Sequence, residues 1–300
     1  MTGLALSRQL YEKAAPLLAS AFPRDVGRIA VGLAGPGSEC FGFDDEISRD
    51  HDFAPRLCLW IPEEDALRLG GPLKAFYARL TADLPGVTPQ AEDRSGVIRI
   101  PEFYRRFTGC PGAPREPMQW LRVPDHLLAA AVNGEVFRDD LGAFTAVREE
   151  LLRGYPPDVR RKKLAARLFT MGQAGQYNLP RSLRRGDAVA SFLASAEFAS
   201  AALRAVYLLN GRYAPYYKWL YRGALDLPLC REAVRLLGLL PGCDEGEKEA
   251  VTEKICLELL RELYRQELTF SPSDFLVDQA FAVASGIEDP GLAALDISVG

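Results

Sequence analysis

The apolar residues of this chain change their spacing once along its length, and that change limits what it can fold into. Before residue 100 three short apolar runs, 28–34, 56–61 and 96–100, are each bounded by glycine or proline. Runs of that length that end in turns form buried strands. Helical spacing surrounds them at 5–22 and 62–84, and in the second helix Pro62 followed by Glu63, Glu64 and Asp65 suits a first turn. Residues 107–124 hold four prolines and two glycines and read as a connecting loop. From Pro124 onward apolar residues recur every three or four positions, which predicts helices over 144–152, 157–176, 185–210, 215–225, 228–240 and 244–268. The pattern predicts an α+β protein: a small mixed β-sheet domain over 1–125, then a helical bundle over 126–300.

Three hundred residues suffice for a substantial core. A net charge of −4 argues against a nucleic-acid partner, which wants a basic face. No run reaches the ~20 apolar residues of a membrane span, and Met1–Arg8 lacks a basic and then apolar leader, so a cytoplasmic location is expected. The six cysteines (40, 58, 110, 230, 243 and 256) form no C-x-x-C pair and read as reduced thiols. A monomer or small homo-oligomer is expected.

One stretch carries chemistry. Gly37-Ser38 follows the first apolar run, and Asp50-x-Asp52 comes twelve residues after Ser38. Alternate residues of an extended segment share a face, so Asp50 and Asp52 can project together. Two such carboxylates repel unless a cation lies between them, and magnesium is the usual one. A glycine turn nearby offers backbone N–H groups to phosphate oxygens. The combination suits a nucleoside triphosphate with magnesium. Two-metal nucleotidyl transfer wants a third carboxylate, for which Glu92, before the third strand, and Glu102, after it, are the candidates. Asp44-Asp45-Glu46 reads as a loop shaping the entrance. His51, between the aspartates, points to the opposite face and reads as packing. Asp125 before His126 reads as a helix cap.

The string from Gly37 to Phe53, with Asn133-Gly134-Glu135-Val136-Phe137-Arg138-Asp139-Asp140 and Tyr213-Ala214-Pro215-Tyr216-Tyr217-Lys218-Trp219, resembles an uncharacterised bacterial family, a domain of unknown function placed near the DNA polymerase β-like nucleotidyltransferases. The resemblance runs from about residue 28 to about 225. It implies a nucleotidyltransferase-like sheet domain followed by a helical domain. It also implies triphosphate contacts from Gly37 and Ser38 and magnesium held by Asp50 and Asp52, with two ions if the site is catalytic. In such enzymes a lysine of the helical domain faces the phosphates. Lys218, beside Trp219 and several tyrosines, is the candidate here, and Arg185 is a second cation. The aromatic group around Lys218 otherwise reads as packing, the basic run 160–163 as a solvated face, and Gln173, Gln176 and Asn178 as a helix end or a polar acceptor site.

The expected activity is transfer of a nucleoside monophosphate from a nucleoside triphosphate to a small-molecule or protein hydroxyl. The alternative is a non-catalytic nucleotide or metabolite binder, or an antitoxin-like partner, on the same fold.

Overall fold

A computed structural model describes residues 2–47, 55–82 and 94–300. The chain forms two compact units, the first from residues 1–114 and 127–153, the second from 115–126 and 154–300. The sequence pattern suggested one cut at 125/126. Here residues 115–126 group with the second unit and residues 127–153 with the first, so the chain passes between units three times.

The first unit is built on a four-stranded sheet. Its elements in chain order are α1 (Gly3–Ala21), β1 (Ala30–Leu33), α2 (Ser38–Phe41), β2 (Cys58–Ile61), α3 (Ala66–Thr81), β3 (Gly96–Arg99) and α4 (Ile100–Thr108). Farther along come α5 (Pro117–Arg122), α6 (Asp125–Val132), β4 (Glu135–Arg138) and α7 (Ala143–Leu152). Of these, α5 and the first two residues of α6 belong to the second unit. The strand order is β3-β2-β1-β4. β1 runs antiparallel to both β2 and β4, and β2 runs parallel to β3.

Period-two alternation places the side chains of β2. Leu59 and Ile61 join Leu10, Leu18, Val31, Leu69 and Phe76 in a core with α1 and α3. Trp60 points the other way, stacked on Phe144 at 3.8 Å and edge-on to Phe103 at 5.5 Å. Tyr104 closes this second layer by donating its hydroxyl to the Phe144 carbonyl at 2.8 Å. Gly32 faces the same layer. A Cβ there would meet the Glu135 carbonyl oxygen at 2.4 Å and the Trp60 ring at 2.8 Å, so only glycine lets β4 lie this close.

β4 is a departure from the all-helical reading after Pro124. Its four residues are half-buried and take strand form by pairing with β1, with a register shift between Val31 and Gly32. α5 is a second departure, in the stretch that reads as a loop. Glu116 and Gln119 form a reciprocal capping box, and Pro117 sits in the first turn.

The second unit continues with α8 (Pro157–Met171), a π-helical turn (Gly172–Asn178), α9 (Leu179–Arg184), α10 (Ala188–Leu209) and α11 (Leu220–Ala224). It ends with α12 (Arg231–Leu239), α13 (Glu245–Arg265), α14 (Leu276–Ala284) and α15 (Pro290–Ala293). Leu164, Leu168, Phe198, Ala202, Val206, Ile255, Leu259, Leu276 and Val283 share its core. α10 is long and apolar enough, by length and composition, to cross a membrane, and half of that window is buried inside the protein. The glycines of the π-helical turn permit close packing: a Cβ at Gly175 would meet the Phe198 ring at 2.3 Å and one at Gly172 would meet Val277 at 2.7 Å. Gln176 is absorbed by structure. Its amide donates to Glu253 at 3.0 Å and accepts from the Leu276 N–H at 2.8 Å.

The basic run at the start of α8 does not face solvent. Lys162 and Lys163 are buried, and Lys162 donates to the carbonyls of Leu295 and Asp296 at 2.9 and 2.7 Å. Arg160 donates to the Leu208 and Leu209 carbonyls at 2.8 and 3.3 Å, satisfying acceptors that the last turn of α10 leaves open. Arg161 donates to the Leu268 carbonyl at 3.4 Å. A run of cations can be interior when each has carbonyl or carboxylate acceptors.

Candidate functional site

β1 runs into Ala34-Gly35-Pro36-Gly37, and α2 starts at Ser38. Gly35 and Gly37 have φ of +121° and +150°, backbone that side chains resist. Asn133 clamps the turn. Its Oδ1 accepts from the Gly35 N–H at 2.9 Å, and its Nδ2 donates to the Gly35 carbonyl at 2.8 Å. Asn133 is itself placed by the turn between α6 and β4. The Gly134 N–H donates to the Cys40 carbonyl at 2.8 Å. A Cβ at Gly134, where φ is +64°, would lie 1.9 Å from the Leu33 carbonyl oxygen. Arg148 of α7 donates to the Val132 and Gly134 carbonyls at 2.8 and 3.3 Å, closing the arrangement from behind. Ser38 is half-buried beside the turn.

Beneath the turn lies a paired charge. Glu39, in the first turn of α2, forms an ion pair with the buried Arg56, and its carboxylate lies against the Gly37 Cα, where a Cβ would meet it at 2.5 Å. Arg56 Nε and Nη1 have no acceptor among the described residues. Burial is the main influence holding the Arg56 proton affinity below its usual value. The thiols of Cys40 and Cys58 are buried nearby. Burial pushes Cys58 up to about 11, against a smaller lowering by the Ala34 backbone and the Arg56 charge, and raises Cys40 as well. Both stay protonated at neutral pH. The floor beneath the glycine turn is therefore buried and holds one ion pair.

The other sequence candidates fall as follows. Asp50, His51, Asp52 and Glu92 lie outside the described residues. Glu102 stands in the first turn of α4 with its carboxylate taken by Arg99 at 3.2 Å and Arg106 at 2.9 Å. Asp44 accepts the Gly3 N–H at 2.8 Å, at the start of α1, so the acidic loop 44–46 contributes a structural contact. Among the described residues no group of three or more histidine, cysteine, aspartate or glutamate side chains converges on one point. The described carboxylates of the sheet unit thus offer no ready magnesium site.

Arg185 and Lys218 belong to the second unit. Arg185 is exposed where α9 ends, and the adjoining Asp187 caps α10 by accepting the Ala190 N–H at 2.9 Å. Lys218 is exposed and lies over the Trp219 ring at 5.0 Å. Of the tyrosines near it, Tyr213 is buried edge-on to Tyr155 at 4.9 Å, whereas Tyr216, Tyr217 and Tyr221 are exposed.

Sequence reasoning missed a buried polar cluster in this unit. Asp125 does not serve as a simple cap. One carboxylate oxygen accepts from the Tyr155 hydroxyl at 2.7 Å and from Lys163 Nζ at 2.9 Å, and the other accepts from Arg204 at 3.4 Å. The signal available was the i, i+4 spacing of Lys163 and Arg167 across Leu164-Ala165-Ala166, a cationic pair on an otherwise apolar stretch.

These features define an α+β protein with a small mixed sheet, a glycine turn after its first strand and a helical unit. Residues 120–220 match the model of a family described as Domain of unknown function (DUF4037). That stretch includes Asn133, the Asp125 cluster, Arg185 and Lys218, and it excludes the glycine turn. No curated protein and no solved structure matches the chain.

Proposed function

We propose that the protein is a magnesium-dependent nucleotidyltransferase that moves a nucleoside monophosphate from a nucleoside triphosphate to a small-molecule or protein hydroxyl. The supporting observation is the clamped turn: β1 delivers Gly35 and Gly37 in conformations suited to glycine, and Asn133 fixes the turn through both polar groups of Gly35. A pre-ordered glycine turn loses little entropy when it meets phosphate oxygens. In this reading Gly37 and Ser38 bind the triphosphate, and Asp50 and Asp52 hold the metal. Magnesium, when bound, neutralises phosphate charge and polarises the transferred phosphoryl group. Glu39 and Arg56 keep the floor neutral, so the turn does not repel the triphosphate. In the same reading Arg185 and Lys218 are the candidate cations for the phosphates, and Glu92 is the remaining candidate for the third carboxylate.

The test is titration of Mg-ATP and the other three nucleoside triphosphates against wild type and an Asp50→Asn/Asp52→Asn double variant. Metal-dependent binding by wild type alone supports the reading, and equal, metal-independent binding by both overturns it.

A second reading, a nucleotide binder without catalysis, is favoured by Glu102, whose carboxylate is already engaged by two arginines. Pyrophosphate release in the presence of a metabolite library separates the two: binding without release at any acceptor selects the binder.

A further inference from the structure

α10 is a core helix over only part of its length. From Ala201 to Leu209 every residue except Arg204 is buried. Nearer its start it is packed on one side alone, through Ser191, Ala194 and Phe198. On the other side Val189, Phe192, Leu193 and Ala196 follow the i, i+3, i+4, i+7 spacing of a single helix face, and all four are exposed. Val189 is 71%, Phe192 69% and Leu193 61% open to solvent. Among the described residues no other α-helix opens three adjoining large apolar side chains this far. A contiguous apolar strip of that kind marks an interaction surface, where scattered single residues would not.

The two ends of the strip carry opposite charges. Arg184 and Arg185 are exposed just before α10, and Glu197 is exposed one residue past Ala196. Asp187 lies between the arginines and the helix, but its carboxylate is turned onto its own chain, accepting the Ala190 N–H at 2.9 Å. Glu197 also acts on the buried Arg167 of its own chain, and it remains exposed.

We propose that this strip is covered by the same strip of a second copy, the two α10 helices lying antiparallel about a two-fold axis between Phe192 and Leu193. That axis sets Phe192 opposite the partner's Leu193 and Val189 opposite the partner's Ala196. It brings Glu197 opposite the partner's Ala188, the first residue of the helix, where the helix dipole and the neighbouring Arg184 both favour an acid. A parallel pairing would set arginine against arginine and glutamate against glutamate. Charge complementarity therefore selects the self-complementary, two-fold arrangement. It also disfavours an anionic membrane, which Glu197 and Asp187 would repel. The strip spans about 15 Å of helix at 1.5 Å per residue, less than a standard interface requires, so the dimer is a reversible one with Phe192 as its anchor. It needs neither Asp50, Asp52 nor a bound nucleotide, and the nucleotide reading gives Arg184 no part.

The experiment is sedimentation velocity of the full-length protein over a concentration series from micromolar to hundreds of micromolar, without nucleotide or divalent metal. Wild type should pass from a 33.0 kDa monomer to a dimer as concentration rises. Phe192→Ser should weaken the association about tenfold or more. Phe192 is open to solvent, so the change leaves the core intact, and circular dichroism checks it. Glu197→Arg should weaken association as well, and adding Arg184→Glu should restore it, because the pair is then reversed as a unit. A second series adds vesicles of phosphatidylglycerol and of phosphatidylcholine, neither of which should bind the protein. A monomer at every concentration, a dimer undiminished in folded Phe192→Ser, or no recovery in Glu197→Arg/Arg184→Glu each overturns the proposal. Binding to the phosphatidylglycerol vesicles that Phe192→Ser abolishes assigns the strip to a membrane surface and overturns it too.

Discussion

The side-chain amide of Asn133 takes both backbone polar groups of Gly35, accepting its N–H at 2.9 Å and donating to its carbonyl at 2.8 Å, across 98 residues of sequence. It acts on the turn as a paired strand would, yet it comes from a loop. Replacing it with alanine leaves a donor and an acceptor of a buried glycine without partners. The expected cost is about 1–3 kcal/mol, read as a lower midpoint in urea. Faster hydrogen exchange at the Gly35 amide should accompany it.

Two glycine substitutions should differ sharply. Gly134→Ala forces a Cβ to within 1.9 Å of the Leu33 carbonyl oxygen at φ +64° and should destabilise by about 3 kcal/mol or more. Gly70→Ala lies inside α3 with nothing within 4 Å of the new Cβ, and should stabilise by about 0.5–1 kcal/mol. Equilibrium unfolding of both variants measures the contrast.

Burial opposes ionisation of Asp125, but Lys163, the Tyr155 hydroxyl and Arg167 outweigh it and hold its carboxyl below the usual carboxylate range. A carboxyl whose folded pKa is depressed adds stability that is complete above its unfolded pKa of about 3.9 and drains away as pH falls through the folded value. Wild type should lose stability below about pH 4 more steeply than Asp125→Asn. At neutral pH that variant should be less stable by about 3–5 kcal/mol, because Lys163 stays buried without its countercharge. Urea titrations from acid to neutral pH give both quantities.

The thiols should divide by environment. Cys40, Cys58 and Cys256 are buried, with burial raising each above the usual thiol range, Cys58 to about 11. Burial also pushes the half-buried Cys230 up to about 12. At pH 8 a maleimide should label Cys110 and Cys243 first and reach the other four only after denaturation. Peptide mass spectrometry of the labelled protein reads the order.

Breaking the Glu39–Arg56 pair from one side should be costly, since it leaves a desolvated charge under the glycine turn. Glu39→Gln should destabilise by about 3–5 kcal/mol. Adding Arg56→Met should recover part of that loss, because the pair then leaves together. A double-mutant cycle in urea tests the coupling.

Local patterning alone decided much of this protein. Apolar runs ending in glycine or proline marked β1, β2 and β3, and three-to-four spacing marked the long helices, because side-chain periodicity follows directly from backbone geometry. Gly37-Ser38 was legible as a turn for the same reason. Only the tertiary structure decided the rest. β4 is a strand because β1 offers it a ladder, and four residues are too few for alternation to declare themselves. The cations at 160–163 are interior because carbonyls of α10 and of residues 268, 295 and 296 converge on them, which no local pattern encodes. Asp125 looked like a cap in sequence and became the centre of a buried cluster once α8 and α10 brought Lys163 and Arg204 to it. Burial and pairing are properties of contacts between distant segments, and those exist only in the folded chain.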